Sequence, residues 1–413
     1  MTAPRIAIIG LGTAGQAAAI ALGRQVPDAE ITLFEQAAEP GPAGAGFLLQ
    51  PTGQAVLARW GLLAEAQALG ARVECLLGHN HRGRLVMDMR YDHADPQRQG
   101  LGLQRGALFE LLHRHQPATV RWEPGSTITR LEPDAGRLHD HRGREHGPFD
   151  LIVVADGSRS SLREQQFGPR PATPYPWGAW WCLVPAEGWS TPHELNQRYR
   201  LARQMAGLLP VGRHRPDLPE MLCLYWSMPA DQAPPADASS HTVAEALAPL
   251  WPEAARQLRA HAPRPLAHAT YRAVNLPRWH HGRAVWIGDA AHGMSPQLGQ
   301  GVNMALLDAM VLADALGPRL DLQQLPRFAA QRQRHVRWYR WASHGLTPLF
   351  QSRADLLARM RDLVFTPASR TPGMRSLSRR LLSGTLGLPA GTFPALPLQQ
   401  IDSALMRGPS TES

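Results

Sequence analysis

Short apolar runs alternate with amphipathic, alanine- and leucine-rich stretches along most of the chain. The first run, Arg5-Ile-Ala-Ile-Ile9, is of the kind buried on both faces of a parallel sheet. Gly10-Leu-Gly-Thr-Ala-Gly15, a helical stretch over Gln16–Arg24 and a second strand over Glu30–Glu35 follow, so the chain opens as a βαβ unit. Residues 52–69 carry a helical pattern, 72–90 read as strands around a turn at Arg82-Gly83, and Gln104–His115 is helical. Strands suit 119–132 and 136–140, and Asp150-Leu-Ile-Val-Val-Ala155 is a further buried one. From about 170 the chain turns rich in Pro and Trp, with strand-like stretches at 177–185, 197–209 and 221–228. A polar loop at 229–240 leads to a helix over 241–261, then a buried strand at Arg283–Ile287 and a long helix over about 300–316. The last 70 residues are helical and then Pro/Gly-rich, with no clear order after about 385, and no internal repeat is visible.

This order predicts an α/β protein. A Rossmann-like dinucleotide-binding domain is expected from 1–72, 101–170 and 270–345, interleaved with a mixed β-sheet substrate domain from 73–100 and 171–269. A C-terminal helical tail covers 346–413. The length of 413 residues accommodates such a division, at roughly 150 residues per domain.

Composition narrows the chemistry. All 43 basic residues are arginine, against 34 acids, for a net charge of +9. With no lysine, neither a Schiff base nor a P-loop lysine is available, and any catalytic cation is Arg or protonated His. The pI near 10.4 invites a nucleic-acid reading. The arginines, however, read as scattered and interleaved with acids, and the densest run, Arg332, Arg334, Arg337 and Arg340 with His335, sits in a helical pattern without a nucleic-acid signature. No nucleic-acid partner is expected.

Cys75, Cys182 and Cys223 are far apart and odd in number, so neither a disulfide framework nor a metal site is expected. The pair His280-His281 reads as a solvated turn. The opening MTAPRIAIIG lacks the apolar core of a signal peptide, and no apolar run reaches membrane-spanning length, so a cytoplasmic enzyme is the default.

Three constellations carry chemistry. In Gly10-x-Gly12-x-x-Gly15 the glycines allow a tight turn, close approach to a diphosphate and close helix–strand packing. Thr13 and Ala14 open the helix, and Glu35, twenty residues beyond Gly15, is placed to accept hydrogen bonds from ribose hydroxyls. The second, Ala155-Asp156-Gly157-Ser-Arg159-Ser-Ser-Leu-Arg163, follows a buried strand and is equally compatible with a plain turn. The third is the most specific: Gly288-Asp289-Ala-Ala-His292-Gly-Met-Ser-Pro296-Gln-Leu-Gly299-Gln300-Gly301-Val302-Asn303. It turns from a strand into a helix whose N-terminal N–H groups would stabilise an anionic ring edge. A reduced flavin needs such a second element and NAD does not, which moves the cofactor from NAD to FAD.

At these residues the sequence resembles the FAD-dependent aromatic hydroxylases, the group A flavoprotein monooxygenases with the p-hydroxybenzoate hydroxylase fold. The resemblance covers roughly 1–345 and is strongest at 8–15, 153–163 and 286–312. It implies that Gly10, Gly12, Thr13, Ala14 and Gly15 wrap the FAD diphosphate and that Glu35, with Gln36 beside it, holds the adenosine ribose. Gln36 departs from the basic residue common there. It further implies FAD contacts for Arg105 and for Phe47 in the segment Gly44–Pro51. Asp156 and Gly157 would serve FAD and NAD(P)H together, Asp289 the ribityl chain, and Pro296, Gly299, Gln300, Gly301, Val302 and Asn303 the isoalloxazine.

The implied reaction is NAD(P)H- and O₂-dependent hydroxylation of an aromatic or quinone-like molecule through a flavin C4a-hydroperoxide, with no metal. Substrate contacts are expected from Trp181, Tyr225 and His292, and no catalytic base is named. Alternatives are a flavin-dependent reductase of prenyl double bonds and a non-catalytic flavin-binding protein. A halogenase, which the resemblance implies would need a lysine, is disfavoured. The tail, with Trp338, Tyr339, Trp341, Leu346, Leu349 and Phe350, reads as a helix packed on the FAD domain, or more sharply as a membrane-surface helix collecting a lipophilic substrate. The protein is expected to be a monomer or homodimer.

Overall fold

The computed structural model describes residues 2–39, 41, 46–91, 99–168, 172–235, 237–261, 266–294 and 298–388. The anticipated βαβ opening contributes two strands to a six-stranded sheet. Its strands run in the order His280–His281, Ala284–Trp286, Leu151–Val154, Arg5–Ile9, Glu30–Phe34, Arg121–Glu123. All neighbours are parallel except the first pair. Leu151–Val154 is wholly buried because helices cover both faces of a parallel sheet, so the run has no polar alternation. The helix Thr13–Gln25 is buried continuously from Ala14 to Leu22, and its alanines let Gly301–Leu316 pack closely alongside.

A seven-stranded sheet forms the second half, in the order Ala267–Val274, Ala172–Pro185, Met221–Pro229, Gln204–Pro210, Glu194–Arg200, Cys75–Asn80, Leu85–Arg90. Alternation along its strands divides the aromatics. Trp180 and Trp226 pair across strands and lie fully buried in a cluster with Val243, Leu247 and Leu258 of two short helices. Their neighbours Trp181 and Tyr225 also pair, but on the opposite face, with Leu48 and Val211. A small sheet of Gly46–Leu49, Gly100–Gln104 and Ala71–Val73 joins the halves. Contact there is close, since a Cβ on Gly102 would lie 1.8 Å from the Pro210 carbonyl oxygen.

Several elements differ from the sequence reading for identifiable reasons. The helix expected over 52–69 is two, Pro51–Arg59 and Leu63–Leu69, parted at Gly61 with φ +71°. That over 241–261 is also two, because Pro252 starts the second. The strand expected over 197–209 is a hairpin, Glu194–Arg200 and Gln204–Pro210, turning at Leu201 with φ +52°. Ala267–Val274 is a strand that the 269/270 boundary cuts, and it belongs to the second sheet. His280-His281 is no solvated turn: it is a half-buried edge strand in which His281 Nδ1 lies 3.1 Å from Gln166 Oε1.

The tail forms three helices, Leu325–Phe350, Asp355–Ser369 and Pro372–Ser383, and the expected 345/346 boundary falls inside the first. These helices touch both halves. Phe350 lies tilted against Tyr199 of the second sheet with ring centres 5.3 Å apart, and Arg332 Nε donates to Asp308 of the FAD half at 2.8 Å.

Candidate functional site

The three sequence constellations converge at the carboxyl ends of the parallel strands, where open α/β sheets place their ligands. Gly10 turns at φ +99°, and a Cβ there would sit 2.5 Å from the Ala155 carbonyl oxygen, so the first turn rests directly on the second constellation. A Cβ on Gly15 would lie 1.8 Å from Gly10 O, which fixes how closely the helix follows. Gly12, in contrast, would meet nothing within 4 Å. Its surface is open at the point where a diphosphate approaches a helix N-terminus.

Glu35 is held at the end of its strand by the N–H groups of Leu11 and Ala37, at 2.8 and 2.9 Å. Gln36 beside it is exposed. Ala14 packs under Gly288, whose own Cβ would lie 2.8 Å from that of Ala14. Thr13 is half-buried at the start of the helix.

Gly157, Gly299 and Gly301 continue the open floor. Gly157 and Gly299 face no atom within 4 Å, and at Gly301 only Asp289 Oδ1 comes within reach, at 3.9 Å. Asp289 is exposed although its neighbours Ala284–Gly288 and Ala290 are buried, so its carboxylate projects from the core into this trough. Asp156 Oδ1 is buried without a hydrogen-bond partner. Burial pushes the Asp156 carboxyl up to about 6, with Ser160 and Arg163 opposing. Free backbone donors at Gly12 and at the start of Gly301–Leu316, with carboxylates at both ends, match a ligand bearing a diphosphate between two polyols. FAD fits this donor set.

Four expected contacts are placed otherwise. His292 is 1% exposed, with Nε2 2.5 Å from Asp308 Oδ2 and its ring stacked on Trp279 at 4.9 Å. It faces the core beneath the site and is withdrawn as a substrate contact. Asn303 is fully buried; it accepts from Gln50 N at 2.8 Å and donates to the carbonyls of Leu48 and Gly299. Its side chain therefore pins the Gly46–Leu49 strand to the trough. Gln300 is buried and donates to Leu381 O, while Val302 is buried beside it. Pro296, Gly44 and Ala45 lie outside the described residues.

Sequence reasoning assigned no role to Arg163. Fully buried, it donates to the carbonyls of Gly157, Ser158 and Ala290 at 3.4, 2.9 and 3.1 Å. It thus ties the second constellation to the third. Its place at the end of the quoted motif was the only signal.

Beyond the trough lies the apolar face of the second sheet. Arg105, exposed, stands 5.9 Å from the centre of the buried Phe47 ring. Burial pushes the Cys223 thiol up to about 12 and the Tyr271 hydroxyl upward, with Arg105 opposing both. Trp181 and Tyr225 are half-buried on this face. The Tyr225 hydroxyl accepts from Gln197 Nε2, and Gln197 Oε1 accepts from Tyr199 Oη at 2.5 Å.

Fold and site together define a flavoprotein built around a Rossmann-like half. A family model described as an FAD binding domain matches residues 4–323. The chain is 31% identical to the 3-amino-4-hydroxybenzoate 2-monooxygenase PtnB3 of Streptomyces platensis, covering 76% of this chain and 80% of that protein. It is 28% identical to the 2-heptyl-3-hydroxy-4(1H)-quinolone synthase of Pseudomonas aeruginosa, covering 92% and 98%. The structure of Klebsiella pneumoniae HpxO complexed with FAD and uric acid superposes with a TM-score of 0.76 at 20% identity, covering 93% and 98%, a likeness of fold. The chain belongs to the group A FAD-dependent aromatic hydroxylases, and it is an FAD-dependent monooxygenase.

Proposed function

We propose that this monooxygenase hydroxylates a neutral, apolar aromatic molecule bearing one ring oxygen, of the phenol or quinolone kind, with NAD(P)H as reductant and O₂ as oxidant. The observation that carries this reading is the aromatic sheet face on which Trp181 and Tyr225 stand side by side. When bound, FAD would relay electrons from NAD(P)H to O₂ and so activate the oxygen for transfer. The chain supplies position and surroundings.

In this reading Gly10, Gly12 and Gly15 receive the diphosphate, Glu35 the adenosine ribose and Asp289 the ribityl chain. The N-terminal N–H groups of Gly301–Leu316 stabilise negative charge on the ring edge. Arg105 and Phe47 close the flavin's side of the chamber. Asp156, part neutral near pH 6 and short of a partner, can accept or donate a hydrogen bond to a nicotinamide or flavin edge.

Trp181 offers the substrate a flat wall. Because Tyr225 Oη accepts from Gln197, its own O–H is left to donate to the substrate's ring oxygen. Among the described residues of that face, Cys223, Leu209, Val211 and Leu48 add no charge. In this reading Arg105, the cation that reaches the face, is taken up on the flavin's side, so the wall itself offers a substrate carboxylate no partner. An apolar surround of this kind also keeps water from the reacting atoms. The quinolone synthase relative is named for a neutral alkylated ring, in keeping with this preference. Among the described residues no helix is long and apolar enough to cross a membrane, and we place the reaction in the cytoplasm, where NAD(P)H is available, by a monomer or homodimer.

Oxygen uptake and product mass, measured with NAD(P)H and a panel of aromatics, test the reading. A 2-alkyl-4-quinolone or alkylphenol should gain one oxygen atom, and an aminohydroxybenzoate should react at least about tenfold more slowly, the difference one buried unpaired charge makes at minimum. A substrate that gains two hydrogens would identify a reductase instead. Faster turnover of the carboxylates would overturn the proposed substrate class.

A further inference from the structure

The helix Asp355–Ser369 is built with its polarity reversed. Its inner side carries Arg361, whose side chain is fully buried against the rings of Tyr199 and Phe350 at 4.9 and 5.0 Å and donates to the Leu349 carbonyl and to Asp362. Asp362 in turn accepts from Asn80. Its outer side is apolar: Leu356 is 71% exposed, Met360 52%, Leu363 60% and Val364 57%, with Leu357 at 36%. These positions recur at the helical repeat and form one stripe. Leu377 on the following helix is 45% exposed as well. A surface helix ordinarily turns such a stripe toward the core, and contiguous exposed apolar patches mark interaction surfaces.

Charge identifies the occupant. Residues 1–324 contain 30 arginines and 30 acids, whereas 325–388 contain 12 arginines against Asp355 and Asp362 alone. Arg332 and Arg361 are buried against Asp308 and Asp362, and Arg353 pairs with Asp231. Arg359, Arg370, Arg375 and Arg380, however, are exposed on and after Asp355–Ser369, so the chain's excess of exposed positive charge gathers beside the stripe, which corrects the scattered reading of its arginines. A second copy docked symmetrically through this surface would bring like charges together. A surface of anionic lipid would neutralise them while accepting the stripe.

We propose that the outer face of Asp355–Ser369 docks on an anionic lipid membrane, its apolar stripe entering the interface and the surrounding arginines meeting the headgroups. The helix lies on the membrane and does not span it. The feature expected of the tail in the sequence is thus extended: Tyr339 and Phe350 are buried and Trp338 and Trp341 remain exposed on the first tail helix, but the continuous apolar stripe turned outward belongs to the next one.

Flotation of the full-length, FAD-loaded protein with vesicles tests this, using phosphatidylglycerol mixed with phosphatidylcholine against phosphatidylcholine alone, at low and high salt. The protein should float with the anionic vesicles at low salt only. The triple variant Leu356→Gln, Met360→Gln, Leu363→Gln alters exposed positions, so it should keep its circular dichroism and flavin content while partitioning at least about tenfold more weakly. Absence of flotation by the full chain overturns the proposal, as does equal flotation of the triple variant. If the triple variant instead converts a dimer into a monomer, with no vesicle binding by either protein, the occupant is a second copy. If only a chain ending at Leu388 floats, the occupant is the chain's own last segment, and the proposal fails equally.

Discussion

Replacing Asp308 by Asn removes the charge on which three buried donors converge. The carboxylate accepts from Gly288 N at 2.8 Å and Arg332 Nε at 2.8 Å, and lies 2.5 Å from His292 Nε2. Burial would raise this carboxyl, but His292 and Arg332 outweigh it and hold it at about 2. An amide of the same shape leaves Arg332, itself 2% exposed, as a buried cation without its counter-ion. Breaking such a pair costs about 3–5 kcal/mol. Urea unfolding at neutral pH, followed by far-ultraviolet circular dichroism, should show that loss. Because Asp308 also fixes the Gly288 turn that presents Asp289, flavin should dissociate earlier in the titration.

The same cluster predicts a pH dependence. Burial first, then the charge of Arg332, lowers the His335 imidazole to about 3. The unfolded chain, titrating near 6.5, binds the proton sooner, so stability falls as pH drops from about 6.5 toward 3, by up to about 1.4 kcal/mol per unit. Asp308, depressed, adds a loss only further down, as pH falls from about 4 to 2. His335→Gln should flatten the first slope and Asp308→Asn abolish the second. A loss below about 1 kcal/mol for Asp308→Asn, or a wild-type stability that is flat between pH 6.5 and 4, would refute the reasoning.

Two further substitutions probe the halves separately. Gly12→Val adds its branches to an open surface, so the protein should fold with unchanged circular dichroism while flavin occupancy, read from visible absorbance, drops more than about tenfold. Gly207→Ala would set a Cβ 2.2 Å from Cζ of Tyr225. The displaced ring should cost about 1–3 kcal/mol and raise KM for the aromatic substrate, with flavin content unaffected, which steady-state kinetics and absorbance together would register.

The FAD half was legible because its signals are local. A buried apolar strand, three glycines at fixed spacing and an acid after the next strand specify a βαβ unit, and each of those positions lies where that unit requires. The second sheet was harder. Ala267–Val274 alternates polar and small residues and shows no apolar run, and what makes it a strand is its pairing with Ala172–Pro185, more than eighty residues distant. Likewise His292, Asn303 and Arg163 stand within motifs, and motif membership does not reveal which way a side chain turns. Asp308 draws the first inward, Gln50 and Leu48 occupy the second, and the third spans two loops. The apolar stripe of Asp355–Ser369 was equally hidden, since periodicity gives the width of a face and not its direction.

The position of Leu151–Val154 in the first sheet has a consequence for biosynthesis. One neighbour, Arg5–Ile9, precedes it, but the other, Ala284–Trp286, is synthesised some 130 residues later, after most of the second sheet. Until then a fully apolar strand presents an unpaired edge on the ribosome. Arg163 likewise waits for Ala290 before the flavin trough can close. The nascent chain therefore passes through a long interval in which its FAD half is aggregation-prone and cannot be rescued by cofactor. Its solubility during expression should depend more on translation speed and chaperones than on flavin supply.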